Sequence, residues 1–206
     1  MGWFGRADAV RGRVDIEGAE HLEAALAKGN GVILFSAHFT TFEFFWPALK
    51  PLCPTLTGMY KAQRNPVMNR AMQHGRGRSY DVQIPKDGVR EMLRVLRANA
   101  VFWYASDQSY GGKGSVLLPF FGEPAMTNTA IGRIVRMSGA AVLPYYGRRL
   151  ATGRYVMSIG APLAGIPSGD DVADTRALMG KLEDYIRMCP EQYWWIHQRF
   201  KGRPAP

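Results

Sequence analysis

Two side chains capable of acid–base chemistry stand five residues apart in the first quarter of the chain. His38 and Glu43 lie in the segment GVILFSAHFTTFEFFW, where an apolar run precedes the histidine and aromatic residues surround the glutamate. A neutral imidazole can take the proton of a hydroxyl, and a carboxylate bonded to its other nitrogen fixes the tautomer. This is a general base with its orienting partner, and the attacking hydroxyl would belong to the substrate. The pair therefore predicts acyl transfer to a hydroxyl.

The spacing limits how the two side chains can meet. Residues five apart do not face each other on a regular helix, so we expect His38 on a turn after a strand and Glu43 in the first turns of the next helix. Thr40 and Thr41 would cap that helix, and its first backbone amides would stabilise the oxyanion. A structural role for His38 is the alternative on spacing alone. Ser36 and Thr40 lack the G-x-S-x-G sequence of a serine nucleophile.

Apolar runs and helical periods alternate along the chain. The predicted strands are 32–37, 55–60, 80–84, 100–105, 116–120, 141–146 and 155–159. The predicted helices are 17–28, 65–75, 87–99, 127–138 and 171–189, with a further helix carrying Glu43. This alternation predicts one α/β domain over residues 1–206, a layered, mostly parallel sheet flanked by helices. Sites in such folds lie at the carboxyl ends of strands, and His38 follows one.

Charge and composition narrow the classes of partner. Lys and Arg total 26 against 17 Asp and Glu, a net charge of +9 that favours an anionic partner: nucleic acid, an anionic membrane or a phosphorylated molecule. Most aromatic residues fall inside apolar strands, which disfavours nucleic acid. Cys53 and Cys189 have no metal-binding spacing, which disfavours a disulfide framework or a zinc site. We find no convincing run of about 20 apolar residues for a membrane span. We expect Met1–Phe4 to be a frayed terminus, and the alternative is a small remnant of an interfacial segment.

Six further segments, taken in order after the first, strongly resemble the lauroyl/myristoyl transferase family of lipid A biosynthesis. They begin at Tyr60, Gly75, Trp103, Pro119, Arg136 and Pro190, and the last reads PEQYWWIHQRFKGRP. The resemblance extends from about Gly18 to Pro204. This family belongs to the lysophospholipid acyltransferase group, which shares a histidine followed five residues later by Asp or Glu. The resemblance therefore implies a glycerolipid acyltransferase-like fold.

The resemblance also implies a reaction and its participants. A fatty acyl chain would move from acyl carrier protein, as co-substrate, to a hydroxyl of a phosphorylated lipid A precursor, with His38 as base and Glu43 as its acidic partner. No metal or other cofactor is implied. Family members have an apolar N-terminal anchor that we do not find in this chain, so we expect a peripheral protein on the anionic cytoplasmic face of the bacterial inner membrane. The alternatives are transfer to a lysophospholipid or another glycolipid, or an inactive member that only binds lipid.

Other residues are implied to contact substrate, although the arginines could instead be solvated side chains and Asp107 a helix cap or a salt-bridge partner. They are Lys61, Arg64, Asn65, Arg76, Arg78, Asp107, Gln108, Tyr110, Thr127 and Thr129. The arginines would hold phosphates, and Thr127 could instead cap a helix. Trp103, Phe120 and Phe121 would line an acyl channel or pack in the core. We expect His197 to be structural, and the aromatic segment 192–195 to cover the sheet or meet lipid.

Overall fold

A computed structural model describes residues 6–201 of the chain, and the predicted frayed terminus Met1–Phe4 lies outside them. The strands in this part are β1 Val14–Glu17, β2 Val32–Ser36, β3 Leu56–Tyr60, β4 Val82–Pro85, β5 Val101–Ala105, β6 Ser115–Phe120, β7 Glu123–Asn128, β8 Ala141–Arg149 and β9 Tyr155–Ile159. The α-helices are α1 Ala7–Arg11, α2 Ala19–Leu26, α3 Trp46–Leu49, α4 Pro66–Gly77, α5 Val89–Arg97, α6 Ala130–Ser138 and α7 Asp171–Met188.

Seven of these strands form one sheet in the order β1-β9-β8-β2-β5-β3-β4. Every neighbouring pair in it is parallel except β8 and β9, which are antiparallel. Strands β6 and β7 form a separate antiparallel pair. The predicted α/β architecture with a mostly parallel sheet is therefore confirmed. The carboxyl ends of β2, β5, β3 and β4 meet at one edge of the sheet.

Helices cover both faces of the sheet, which explains why β2 is apolar throughout. Ile33 and Phe35 pack in one core with α5, α6 and α7, whereas Val32 and Leu34 pack in the other with α2 and α3. All five residues of β2 are buried. Side chains alternate across a strand, so a strand covered on both faces needs apolar residues at every position.

Local signals set several helix ends. The Asn65 side chain accepts hydrogen bonds from the amides of Val67 and Met68, and Pro66 follows as the first helical residue of α4. The Asp170 side chain caps α7 in the same way. Helix α6 ends at Gly139, whose φ of 78° is the left-handed conformation that glycine adopts most readily.

Three parts of the fold differ from the sequence prediction. Helix α1 and strands β1 and β7 were not predicted, and the helix expected from residue 127 begins at Ala130, because Thr127 and Asn128 complete β7. Glu43 lies in a 3₁₀ turn, Phe42–Phe44, rather than in an α-helix. The helix after it, α3, has four residues and gives way to a second 3₁₀ turn that contains Pro51. A proline lacks the amide that a helix interior needs, so no long helix can form there.

Within residues 6–201, no helix is both long and apolar enough to cross a membrane.

Candidate active site

The pairing of β2 with β5 brings His38 and Asp107 together. Ser36 lies opposite Ala105 in this parallel pair, and His38 and Asp107 each stand two residues further on. The backbone amide of His38 donates to Oδ2 of Asp107 at 2.9 Å, and Nδ1 of His38 lies 2.7 Å from Oδ1. Because a carboxylate accepts, Nδ1 carries the proton and Nε2 is left free as a base.

Asp107 is charged in spite of its position. Its side chain is fully buried, whereas that of His38 is 18% exposed. Burial alone would raise the pKa of Asp107, but the charge that His38 carries when protonated and the hydrogen bonds from its ring and backbone together hold the pKa below its ordinary value. A buried carboxylate held ionised against an imidazole can stabilise the imidazolium that forms when the base takes a proton.

Glu43 does not contact the imidazole as predicted. Its Oε1 accepts hydrogen bonds from Nε of Arg76, at 2.9 Å, and from a terminal nitrogen of the same guanidinium. Burial raises the pKa of Glu43, although Arg76 and, more weakly, the charge of His38 oppose that rise. The prediction of a hydrogen bond between His38 and Glu43 is therefore wrong, and Asp107 is the partner. Local spacing favoured Glu43, whereas the Asp107 contact depends on which strand neighbours β2.

The segment after His38 also differs from the expected oxyanion site. The amides of Phe39, Thr40 and Phe42 donate to carbonyl oxygens of Ala37, Gln192 and Phe39, at 2.8–3.1 Å. Thr41 does not cap a helix with its side chain, and its hydroxyl donates to the carbonyl of Gly147 at 3.4 Å. These three amides are committed within the protein, so the expectation that this turn supplies the oxyanion donors is wrong for them.

The chain segment 190–201 packs against the loop that follows β2 and contains His38, which we call the histidine loop. The amide of Trp194 donates to the carbonyl of His38 at 2.9 Å, and Phe39 and Tyr193 form an isolated antiparallel bridge. The ring of His197 lies 4.6 Å from that of His38, centroid to centroid. Burial and then the charge of His38 lower the pKa of His197, which favours a neutral ring. Sequence reasoning missed this contact, because nothing local indicates where a C-terminal segment packs.

Two buried groups lie behind Asp107. Tyr193 is buried, and burial followed by the neighbouring charge of Asp107 raises the pKa of its phenol. Arg199 is 3% exposed, and it donates to the carbonyl of Met126 at 2.7 Å and to the Thr127 hydroxyl at 2.6 Å. The segment therefore contributes buried polar groups as well as backbone contacts to the environment of the base.

A cleft of about 1050 Å³ opens at the carboxyl edge of the sheet, beside His38. Its apolar lining includes Phe42, Trp46, Met59, Met72, Phe102 and Trp103, and its polar lining includes Glu43, Lys61, Arg76, Lys86, Gln108, Tyr110 and His197. The volume is at the upper end for pockets that hold small molecules. An apolar interior with charged groups around the base suits a ligand with a long hydrocarbon part and an anionic part.

The structure brings only part of the predicted substrate set to this cleft. His38, Glu43, Lys61, Arg76, Gln108 and Tyr110 line it. Arg64, Asn65, Arg78, Thr127 and Thr129 do not, and Asp107 lies behind His38. Asn65 is the helix cap, Thr127 binds Arg199, and the Thr129 hydroxyl donates to the carbonyl of Gly114 at 2.6 Å. These three side chains form hydrogen bonds within the protein, and those bonds explain why asparagine or threonine stands at each position.

The predicted aromatic channel is divided. Trp103 lines the cleft. Its ring stacks on that of Phe42 with centroids 5.3 Å apart, and it lies edge-to-face with the ring of His38 with centroids 5.4 Å apart. Phe120 is fully buried in the core, and Phe121 packs under the guanidinium of Arg187. Only Trp103 of the three can therefore touch a ligand in the cleft.

Neither cysteine takes part in this site. Cys53 and Cys189 are both buried free thiols. Burial raises the pKa of Cys53 to about 12 and that of Cys189 to a smaller extent, so both are protonated at neutral pH. Within residues 6–201, no group of three or more His, Cys, Asp and Glu side chains is arranged to hold a metal ion.

Comparison with known proteins identifies the family. Residues 1–202 match the sequence profile described as bacterial lipid A biosynthesis acyltransferase. The chain is 34% identical over 206 residues to the lipid A biosynthesis lauroyltransferase of Escherichia coli (strain K12), covering 99% of this chain and 67% of that protein. It is 34% identical over 208 residues to the palmitoleoyltransferase of the same organism, covering 100% and 67%. Among solved structures, a 1-acyl-sn-glycerophosphate acyltransferase from Thermotoga maritima aligns with a TM-score of 0.48 and 14% identity, over 91% of this chain and 80% of that one. The chain therefore belongs to the bacterial lipid A biosynthesis acyltransferases, a family of acyl-transferring enzymes.

Proposed function

We propose that this protein transfers a fatty acyl chain from acyl carrier protein to a hydroxyl of a phosphorylated lipid A precursor. The observation that carries this proposal is the hydrogen-bonded His38–Asp107 pair at the cleft, in a chain of this family. The pair supplies a base whose free nitrogen is available to a hydroxyl. We place the reaction at the cytoplasmic face of the inner membrane, where both substrates would meet.

The proposed reaction is a direct transfer. Nε2 of His38 accepts the proton of the acceptor hydroxyl while the oxygen attacks the thioester carbonyl, and Asp107 stabilises the resulting imidazolium. A carbon–oxygen bond forms and the carbon–sulfur bond breaks as the tetrahedral intermediate collapses. The departing thiolate takes the proton from His38, which returns the imidazole to its neutral state. No covalent acyl-enzyme is needed.

The lining of the cleft fits these substrates. The acyl chain would lie along Phe42, Met59 and Trp103, and the phosphates would meet Lys61 and Arg76. Glu43 uses Nε and one terminal nitrogen of Arg76, which leaves Nη1 for a phosphate oxygen. Gln108 lines the cleft with one amide hydrogen directed at Nε2 of His197, at 3.4 Å, and its second amide hydrogen would donate to the oxyanion.

An assay with purified components tests the proposal. The protein is incubated with labelled acyl carrier protein thioesters and with three acceptors: a phosphorylated lipid A precursor, a lysophospholipid and an unrelated glycolipid. We expect transfer to the lipid A precursor and at least a hundredfold slower turnover by His38→Ala, because general bases contribute about that much or more. Equal turnover by the variant, or transfer only to another acceptor, would contradict the proposal.

A further inference from the structure

Large apolar side chains exposed to solvent are concentrated at the edge of the sheet that carries the cleft. Eleven large hydrophobic residues are exposed within residues 6–201. Seven of them, which we call the apolar rim, are Val67, Met68, Val89, Tyr110, Trp194, Trp195 and Ile196. Solvent-exposed apolar residues scattered singly need no explanation, but a group at one edge does.

The topology explains how these residues reach the same edge. Val67 and Met68 lie in the first turn of α4, just after β3, and Val89 opens α5 after β4. Tyr110 follows β5, and Trp194 is hydrogen-bonded to the histidine loop after β2. The rim therefore consists of residues that follow strands β2, β3, β4 and β5 at their carboxyl ends, or that pack against those residues.

The most exposed residues of the apolar rim do not line the cleft, so contact with a ligand there does not explain their exposure. Val67 is 74% exposed, Met68 57% and Ile196 79%, and none of the three lines the cleft. Burying such a side chain in an apolar phase is favourable. These three side chains are therefore suited to insertion into an apolar phase outside the protein.

Cations accompany the rim. Lys61, Lys86, Arg64, Arg90 and Lys201 are exposed near the same edge, and the first two also line the cleft. Nearby acidic side chains are fewer: Asp87 pairs with Lys86 at 3.9 Å, Glu91 pairs with Arg94, and Glu191 precedes Gln192. In the part of the chain that the structure describes, Lys61, Arg64 and Lys201 have no acidic partner. The edge is therefore both apolar and positively charged.

We propose that the apolar rim and its cations dock the protein on an anionic lipid bilayer, with the cleft opening into the headgroup layer. The proposal rests on the proposed function in one respect, that the acceptor is a lipid. Apolar side chains enter the acyl boundary while Lys and Arg meet headgroup phosphates, and Trp and Tyr favour this interface. The rim protrudes from separate segments instead of lining one groove, which a fluid surface accommodates better than a rigid protein.

Vesicle sedimentation of the purified chain tests this surface. The probes are vesicles of phosphatidylcholine alone and of phosphatidylcholine with phosphatidylglycerol. We expect binding to the anionic vesicles, and about tenfold weaker binding by Met68→Asp and by Ile196→Asp, because each places a charge where an apolar side chain enters lipid. The matched control is Met137→Asp: Met137 is 49% exposed, near the end of α6 and close to the amino end of β8, and its variant should bind like wild type.

Two results would overturn the docking surface. One is absence of vesicle binding, or equal binding by the two rim variants and Met137→Asp. The other is rim variants that keep vesicle binding but lose affinity for acyl carrier protein, which would assign the edge to a protein partner. Acyl transfer to detergent-dispersed acceptor reports separately on the proposed function, and we expect Met68→Asp to match wild type there. Intact vesicle binding without any transfer would contradict the proposed function alone.

Discussion

Two carboxylates near His38 differ in what surrounds them. Asp107 is fully buried and receives hydrogen bonds from both the ring and the backbone amide of His38. Glu43 is 17% exposed in the cleft and is occupied by Arg76. Two contacts to the same residue fix the imidazole in one orientation, whereas a carboxylate on an arginine fixes that arginine. We therefore assign orientation of the base to Asp107 and placement of Arg76 to Glu43.

Substitution of the two carboxylates separates these roles. Asp107→Asn should lower kcat at least about a hundredfold, because an amide does not enforce the Nδ1–H tautomer or stabilise the imidazolium. Glu43→Gln should mainly raise KM for the phosphorylated acceptor, with a loss in kcat of about tenfold or less, because it frees Arg76. Steady-state kinetics with acyl carrier protein thioester measures both. A larger loss of kcat in Glu43→Gln than in Asp107→Asn would return the orienting role to Glu43.

The lowered pKa of Asp107 also predicts how stability depends on pH. The unfolded chain binds the proton at an ordinary value of about 3.9, above the pKa of the folded state. The contribution of Asp107 is therefore present above the unfolded pKa and is lost as pH falls through the folded pKa. Urea unfolding of wild type and Asp107→Asn between about pH 7 and pH 3 should show a difference in free energy that shrinks toward acid.

A solvent-exposed carboxylate is the control for this titration. Asp15 also has a lowered pKa, because of its hydrogen bond with Arg154, but it is not buried. Solvent screens such a pair, so Asp15→Asn should follow the wild-type curve closely. A constant difference between wild type and Asp107→Asn across this range would show that Asp107 does not act through its charge.

At the scale of elements, the strands and helices that the sequence predicts are those whose pattern lies within their own residues. The apolar run of β2 and the helical period of α5 identified both elements, and the site was expected at the carboxyl end of a strand, where it is. His38, Lys61, Arg76, Gln108 and Tyr110 lie at this cleft, and their contact with substrate stays a prediction.

The rest depended on long-range order. The contact between His38 and Asp107 requires β2 to pair with β5, and the two residues are 69 positions apart. The contacts of segment 190–201 with the loop that contains His38 join residues that are still further apart in the chain. Strand order is set by packing of whole layers, and no period in a single strand encodes it. Strand β1 was missed for a related reason: three of its four residues are exposed, so it lacks a buried strand's apolar run.

The 3₁₀ turn that carries Glu43 depends on a close approach by β8. A Cβ at Gly147 would lie 1.9 Å from the ring of Phe45, which ends that turn. We therefore expect Gly147→Ala to destabilise the protein by about 1–3 kcal/mol through overpacking. The same substitution at Gly180, inside α7 with open space around it, should stabilise by about 0.5–1 kcal/mol.

Thermal and urea unfolding of these two variants measure the difference. Gly147→Ala should also lower activity more than its stability loss explains, because displacing Phe45 moves Glu43. Wild-type stability and turnover in Gly147→Ala would show that the turn can shift without cost.

At the scale of the whole molecule, charge is distributed unevenly between paired and unpaired groups. Many carboxylates are used in ion pairs: Asp8 with Arg11, Asp15 with Arg154, Glu91 with Arg94, Asp171 with Arg136 and Glu183 with Arg187. Because the chain has 26 basic and only 17 acidic residues, an excess of cations remains after such pairing. Lys61 places part of this excess at the cleft. The field of the molecule therefore attracts anionic partners toward the site.

This field predicts a salt dependence that is specific to the acyl donor. Acyl carrier protein, the donor that we propose, is acidic, so raising the salt from about 50 mM to about 500 mM should raise KM for its thioester at least about threefold, because the Debye length shortens well below 10 Å. A neutral acyl thioester of N-acetylcysteamine is the control donor, and its KM should change little. The acceptor is the same in both assays, so its own response to salt cancels in the ratio of the two KM values. An equal change for both donors would show that the carrier's charge plays no part in binding, and that the basic excess acts on the acceptor or the membrane instead.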